Sequence, residues 1–311
     1  MTSQSGFPVF DAAATAALLG YDALVGALRE TVVEYGRGVV TSPERLVTPL
    51  AGDGLMLSMP AVAADLAIHK LVNVCRSNAA RGIPTIHGQV LACDSVTGVP
   101  LFVLDGPTVT GRRTAAVTML GIDLLHGAPR EVLIVGTGTQ AANHAQALAQ
   151  LHPGVRVLIQ GRSAQRAADF CARYASIAPT ATPLEGDVVP ETVDVVITAT
   201  MSKTPVYTGA ARAGRLVVGV GAFTPDAAEV AAATVRGSYA VVDDPLGAKH
   251  EAGDLILAQT DWRDVASLAD VILGKAQPAG PVFFKSVGCA AWDLAACRVA
   301  RPAAVRQAAA G

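Results

Sequence analysis

The sequence lacks the features that would tie it to a membrane or a nucleic acid. Apolar residues make up 51% of the chain, but no run approaches the ~20 uninterrupted apolar residues of a membrane span. The N-terminal MTSQSGFPVF has neither the basic nor the apolar segment of a secretory leader. Charge is scarce, at 16% of the 311 residues, and the formal net charge is only -2. With no block of like charge, neither nucleic acid nor an anionic bilayer is expected as a partner. The cysteines are few and odd in number: Cys75, Cys93, Cys171, Cys289 and Cys297, with no C-x-x-C pair. That spacing fits reduced thiols in a cytoplasm and gives no reason to expect a metal. No internal repeat is present, and the only biased segment is the Ala-rich tail.

The chain is long enough for two domains, or for one domain with a large insertion, and for a substantial core. Residues 11–36 carry Leu18, Leu19, Leu24, Val25, Leu28 and Val32 at helical spacing and end at Gly36-Arg37-Gly38. They read as one or two helices. From 45 to 105 the pattern changes to short strand-like runs: LVTPL, GLMLSM, AIHKLVNVC, then IPTIHGQVLACD and VPLFVLD flanking SVTG as a hairpin. This first third reads as a mostly antiparallel α+β unit. PTVTGRRTAAVTMLGIDLLHG follows, with a helix to about Leu125 stopped by Gly127 and Pro129.

From Glu131 strands and helices alternate. EVLIVG leads to a helix over Thr139–Leu151, and VRVLIQG to a helix over Ala164–Tyr174. DVVITAT, RLVVGV and YAVVD are further strands. Continuous Val/Ile runs alternating with helices predict a parallel sheet covered on both faces. A last helix, roughly Cys289–Ala309, follows a Gly-rich loop and a Phe pair and is expected to return to the first unit.

LIVGTGTQAANHAQAL places Gly136, Gly138 and Ala141 in a G-x-G-x-x-A pattern between strand and helix. The first glycine permits the tight turn, the second lets the backbone approach a pyrophosphate, and the alanine lets helix and strand pack closely. The candidate cofactor-binding residues are Gly136, Gly138, Thr139, Gln140, Ala141, and Thr200 and Met201 at the end of DVVITATM. A second absence matters here. Where an NAD site usually carries Asp or Glu, the chain offers Gln160, Gly161, Arg162 and Ser163. No carboxylate repels a 2′-phosphate, while Arg162 and Ser163 can hold one, so NADPH is expected over NADH.

The first unit also holds scattered basic residues: Arg45 after Ser42-Pro43, Lys70 inside the apolar AIHKLVNVC, and Arg112-Arg113 near a helix start. A lysine among Ile, Leu and Val needs a partner or an exit to water. An alternating strand with Lys70 on its wet face, and a solvated Arg112-Arg113 pair, satisfy the same pattern. His69, next to Lys70, belongs on the other face of the strand.

KLVNV (70–74), PTIHG (84–88), TGRRTAA (110–116) and IVGTGTQA (134–141), in this order along the chain, resemble the ornithine cyclodeaminase/mu-crystallin family. The resemblance runs over roughly residues 40–290. It implies a homodimer of two-domain α/β subunits. A Rossmann-type parallel-sheet domain (113–288) would stand beside a smaller α+β substrate-binding and dimerisation domain (1–112 and 289–311). It also implies that Arg45, Lys70 and Arg113, with Arg112 as a further member, clamp the carboxylate of a small α-amino or α-imino acid.

A third absence divides the family's chemistries. Cyclodeaminases resemble G-x-D-x-P-G-K-x-E in the loop where this chain reads GAFTPDAAE (221–229). Phe223 replaces the Asp, and Asp226-Ala227 replaces Gly-Lys. Asp226 after Pro225 reads as a helix-start residue. The GAFTPD form resembles the branch that reduces the cyclic ketimines Δ1-pyrroline-2-carboxylate and Δ1-piperideine-2-carboxylate to L-proline and L-pipecolate. A ketimine is already dehydrated, so clamping and hydride placement suffice, and an apolar wall at Phe223 suits its ring. Lys70 and His87 are the candidate catalytic residues, His87 as a proton relay or alternatively a structural histidine. Ornithine cyclodeaminase, amino-acid dehydrogenase and non-catalytic NADPH binding are the alternative activities.

Overall fold

The computed structural model describes residues 6–186 and 188–310, with side chains to residue 307. Residues 1–5, which open the N-terminal stretch read above, lie outside the described residues, as do Asp187 and Gly311. In chain order the elements are α1 (Ala12–Leu18), α2 (Tyr21–Gly36), β1 (Leu46–Pro49), β2 (Leu55–Val62), β3 (Ala67–Val74), β4 (Ile86–Cys93) and β5 (Pro100–Asp105). Then come α3 (Gly106–Leu125), β6 (Glu131–Val135), α4 (Thr139–Leu151), β7 (Arg156–Gln160), α5 (Ala164–Tyr174), β8 (Ala181–Pro183), β9 (Val195–Thr198) and β10 (Leu216–Gly219). The chain closes with α6 (Ala232–Arg236), β11 (Tyr239–Val242), α7 (Pro245–Glu251), α8 (Gly253–Leu257), β12 (Ala266–Ser267), α9 (Leu268–Ile272), β13 (Val282–Lys285) and α10 (Ala290–Ala310). The chain divides into two compact units: the part up to Arg113 together with that from Cys289 onward, and Thr114–Gly288.

The first unit is built on an antiparallel sheet ordered β1-β2-β3-β4-β5. Alternation along β3 turns Ile68, Lys70 and Val72 to the dry face, whereas His69 and Leu71 are exposed. Register carries the same division across the sheet. Met59 and Val90 pair with Lys70, and Asn73 pairs with His87. α10 covers the dry face and packs against α2, β2 and β3. Trp292 on α10 is fully buried and meets Tyr35 of α2 edge-on at 5.6 Å. Arg298 ties α10 to Glu34 of α2 at 2.6 Å and to Asp65 at 2.7 Å.

The second unit carries an eight-stranded sheet, β12-β11-β13-β10-β9-β6-β7-β8, in which all registered pairs are parallel. Its core joins Leu133, Val196, Val217 and Phe283. Strand order reverses between β6 and β9, the switch point at which open parallel sheets bind ligands. Two details differ from expectation. The Phe pair forms the middle of β13, a strand not among those expected, seated between β11 and β10. Pro281 before it and Lys285 at its end hid so short a strand. No helix follows Pro225 either: Asp226 sits in a turn and pairs with Lys203 at 2.5 Å. No helix among the described residues is long and apolar enough to cross a membrane.

Candidate active site

The dry face of the first sheet holds three charged groups. Nζ of Lys70 lies 3.1 Å from both carboxylate oxygens of Asp293, and Nε of Arg113 lies 3.3 Å from Oδ1. All three side chains are buried. β3 delivers Lys70, α3 delivers Arg113 two turns from its start at Gly106, and the buried face of α10 delivers Asp293. Two cations on one carboxylate leave an excess positive charge out of water, which a bound anion would neutralise. Nη1 of Arg113 is buried and has no hydrogen-bond partner among the described residues. Burial pushes the Lys70 ammonium down to about 8; Asp293 opposes the fall, and Arg113 and Arg45 add to it. Arg45, half-buried just before β1, thus bears electrostatically on the same group.

Two of the expected residues are not brought to this cluster. Arg112 donates to the Leu19 carbonyl at 3.1 Å and lies over the Tyr21 ring at 4.9 Å, so its guanidinium serves the α1–α2 junction. His87 is exposed and shares the outer sheet face with Asn73 and His69, opposite the face that bears Lys70.

The loop after β6 has the shape a dinucleotide requires. Gly136 has φ +137, and a Cβ there would meet the Ala199 carbonyl oxygen at 2.5 Å. Above Gly138 nothing lies within 4 Å. Gly138 is also the N-cap of α4 and makes no side-chain cap bond, so N–H groups at the helix start remain available. Ala141 is fully buried, and Thr139 and Gln140 form the first turn of α4. At the end of β7, the Gln160 carbonyl accepts from Gly136 at 2.8 Å. Arg162 and Ser163 are exposed. The Ser163 hydroxyl accepts the Arg166 N–H as the N-cap of α5, which leaves its own proton to donate outward. The residues therefore fit a nicotinamide dinucleotide.

Past β9 and β10 the chain displays two apolar side chains. Met201 is 77% exposed and Phe223 is 40% exposed, so the Phe223 ring is not core packing. Thr200, next to Met201, donates its hydroxyl to Glu229.

Residues 9–307 match the model of the ornithine cyclodeaminase/mu-crystallin family. This chain belongs to that family. It is 64% identical over 303 residues to Delta(1)-pyrroline-2-carboxylate reductase 1 of Burkholderia multivorans, covering 97% of this chain and 98% of that protein. It is also 64% identical over 304 residues to the Delta(1)-pyrroline-2-carboxylate/Delta(1)-piperideine-2-carboxylate reductase of Azospirillum brasilense, with the same coverage, 97% and 98%. Among solved structures, Delta(1)-pyrroline-2-carboxylate reductase of Thermococcus litoralis, in complex with NADH and L-proline, superposes with a TM-score of 0.88. It covers 96% of this chain and 98% of its own. At 24% identity that likeness speaks for the fold.

Within this family member, sequence reasoning overlooked two carboxylates. Asp293 stood in plain view as the lone charge of AAWDLAA, an apolar helix segment in which a carboxylate demands a cationic partner. Glu229 closes the GAFTPDAAE stretch but was read only as part of a pattern.

Proposed function

We propose that this chain is a reductase of cyclic ketimines, converting Δ1-pyrroline-2-carboxylate to L-proline and Δ1-piperideine-2-carboxylate to L-pipecolate with NADPH. The observation that carries the reading is the buried cluster with excess positive charge, Lys70 and Arg113 on Asp293, next to an unpartnered Nη1. The two 64%-identical reductases support it, as does Phe223 in the place of a carboxylate.

In this reading Arg113, Lys70 and Arg45 hold the substrate carboxylate, and charge-assisted pairing fixes its orientation. The Phe223 ring offers an apolar surface to a five- or six-membered ring. A reduced dinucleotide held on the Gly136–Ala141 loop would supply the hydride for the imine carbon. The imine nitrogen receives a proton, and Lys70, whose ammonium is held near neutrality, is the group we assign to hold that proton at the nitrogen. His87 on the outer sheet face takes no part. Arg112 acts through the α1–α2 junction rather than on the carboxylate.

Gly136, Gly138, Thr139, Gln140 and Ala141 would receive the pyrophosphate, Gln160, Arg162 and Ser163 the adenosine end, and Thr200 and Met201 the nicotinamide end. We assign NADPH because no carboxylate stands at the end of β7 and Arg162 is exposed there. We further assign substrate binding and dimerisation to the first unit and cofactor binding to the second. The outer face of the first sheet exposes Leu46, Val62 and Leu71, an apolar surface suited to a second copy. Five free cysteines suit a reducing cytoplasm.

The test follows absorbance at 340 nm with NADPH or NADH and each ketimine, beside ornithine with NAD and ammonia as readout. Loss of NADPH on the ketimines with no ammonia from ornithine is the expected result. Ammonia from ornithine, or silence in both assays, would overturn the assignment.

A further inference from the structure

β9 and β10 are neighbours, with Thr198 opposite Gly219. Beyond them the backbone leaves the sheet as two adjacent stubs, Ala199–Thr200–Met201 and Val220–Gly221–Ala222–Phe223. The last ladder bond between them runs from Val220 N–H to the Thr198 carbonyl at 2.9 Å. Past it the stubs touch directly: a Cβ on Gly221 would stand 1.9 Å from the Thr200 carbonyl oxygen.

One fully buried side chain, Glu229, joins them. Its Oε1 accepts the Thr200 N–H at 2.6 Å and the Thr200 hydroxyl at 2.7 Å. Its Oε2 accepts the N–H of Gly221 at 2.6 Å and of Ala222 at 3.0 Å. The Thr200 hydroxyl in turn accepts from Ser202 N–H at 3.1 Å, which fixes it as a donor toward Glu229. Four donors on two oxygens match an ionised carboxylate and no neutral isostere. Glu229 is itself anchored. Its backbone N–H donates to Asp254 Oδ1 at 2.7 Å, and Asp254 Oδ2 stands 2.8 Å from the buried Lys285 ammonium. Burial pushes the Glu229 carboxyl above its ordinary value, Lys285 and the Thr200 donors oppose that rise only in part, and Asp254 adds to it.

A carboxylate is a costly way to bridge two loops unless their spacing matters. The β9 stub lies at the switch point of the sheet, where Gly136 of the dinucleotide loop closes on Ala199, and the β10 stub lies next to it. They present Met201 and Phe223 outward. We propose that Glu229 is a positioning residue: it staples the Thr200–Met201 and Gly221–Phe223 backbones into one wall that orients the nicotinamide ring. The inference rests on the nicotinamide-dependent reductase reading above.

The test compares the wild-type chain with Glu229→Gln, which keeps the shape but turns an amide toward two donors, and with Thr200→Val, which removes one of the four bonds. Three readouts are taken: amide hydrogen exchange over 199–203 and 220–224, fluorescence of bound NADPH, and single-turnover reduction of Δ1-pyrroline-2-carboxylate with NADPH and its 4-deuterated form. Glu229→Gln is expected to speed exchange in both segments and alter the emission of bound NADPH. It should slow hydride transfer roughly ten- to hundred-fold with a larger isotope effect, while NADPH affinity stays within about three-fold, because only the ring is misplaced. Thr200→Val should do the same to a smaller degree. A folded Glu229→Gln that transfers hydride at the wild-type rate overturns the inference, as does a slowdown matched by an equal loss of NADPH affinity. If Glu229→Gln does not fold, Thr200→Val decides, and wild-type hydride transfer in it overturns the staple. If the wild-type chain reduces no ketimine, the reductase reading fails on its own. Exchange and bound-NADPH emission then decide the wall, and values in Glu229→Gln equal to wild type overturn it.

Discussion

Lys70 and Arg113 are both buried against one carboxylate, Asp293. Arg113→Ala removes the group with the unpartnered donor. The lost charge-assisted contact is worth about 1.5–3 kcal/mol, so kcat/KM for the ketimine should fall roughly 10- to 150-fold, mostly through KM. An unchanged KM in steady-state assays would remove Arg113 from the clamp. Lys70 makes a second, pH-dependent prediction. Its ammonium must be charged to hold a carboxylate, and burial has lowered it from 10.5 to about 8. The kcat/KM profile should therefore be flat below that pH and decline as pH rises through about 8. Asp293 opposes the lowering, so Asp293→Asn should move this alkaline limb to lower pH. A limb that does not move belongs to the substrate or to another group. Stability has the opposite sign. Between about 8 and 10.5 the unfolded chain holds a proton on Lys70 that the folded one has lost, so Lys70 opposes folding fully below that window and less as pH rises through it. If Phe223 lines the site as proposed, Phe223→Asp sets a carboxylate against the substrate ring and ketimine reduction followed at 340 nm should be lost; full retention would mean that the ring lies away from the substrate.

At the scale of elements, alternation in β3 decides which residues work together. The pattern AIHKLVNVC announces a strand with two faces but not which face is wet. α10 settles that by covering the face of Ile68, Lys70 and Val72 and bringing Asp293 to it. The same register sends His87 to the other side, which no reading of PTIHG alone reveals. β13 escaped detection because four residues, VFFK, give too short a period to recognise, and only its seat between β11 and β10 defines it. The contact of the β9 and β10 stubs also makes a prediction at this scale. Gly221→Ala drives a methyl into the Thr200 backbone. Overpacking of this kind costs about 1–3 kcal/mol, which should appear as a lower Tm in thermal denaturation together with weakened activity. A Tm equal to wild type would show that the two stubs can separate freely.

For the whole molecule, the outer face of the antiparallel sheet is the surface proposed above to meet a second copy. Leu46, Val62 and Leu71 are exposed there, at 66%, 46% and 39%. Leu71→Asp should convert a dimer to monomers in sedimentation velocity, because a charge buried between two sheets lacks a partner. A monomeric wild type, or an undisturbed dimer in the variant, would rule out this face. The sequence by itself determined the parallel sheet with its glycine loop and the antiparallel unit, because strand and helix periods and G-x-G-x-x-A are local patterns. It also marked Lys70 as a charge in an apolar setting, while only the resemblance of TGRRTAA singles out Arg113. Only the tertiary structure decided that Asp293 joins them, that Arg112 and His87 do not, and that Glu229 bridges two strand ends. Those outcomes depend on pairings between residues far apart in the chain, up to the 223 positions between Lys70 and Asp293, and no local period encodes such a pairing.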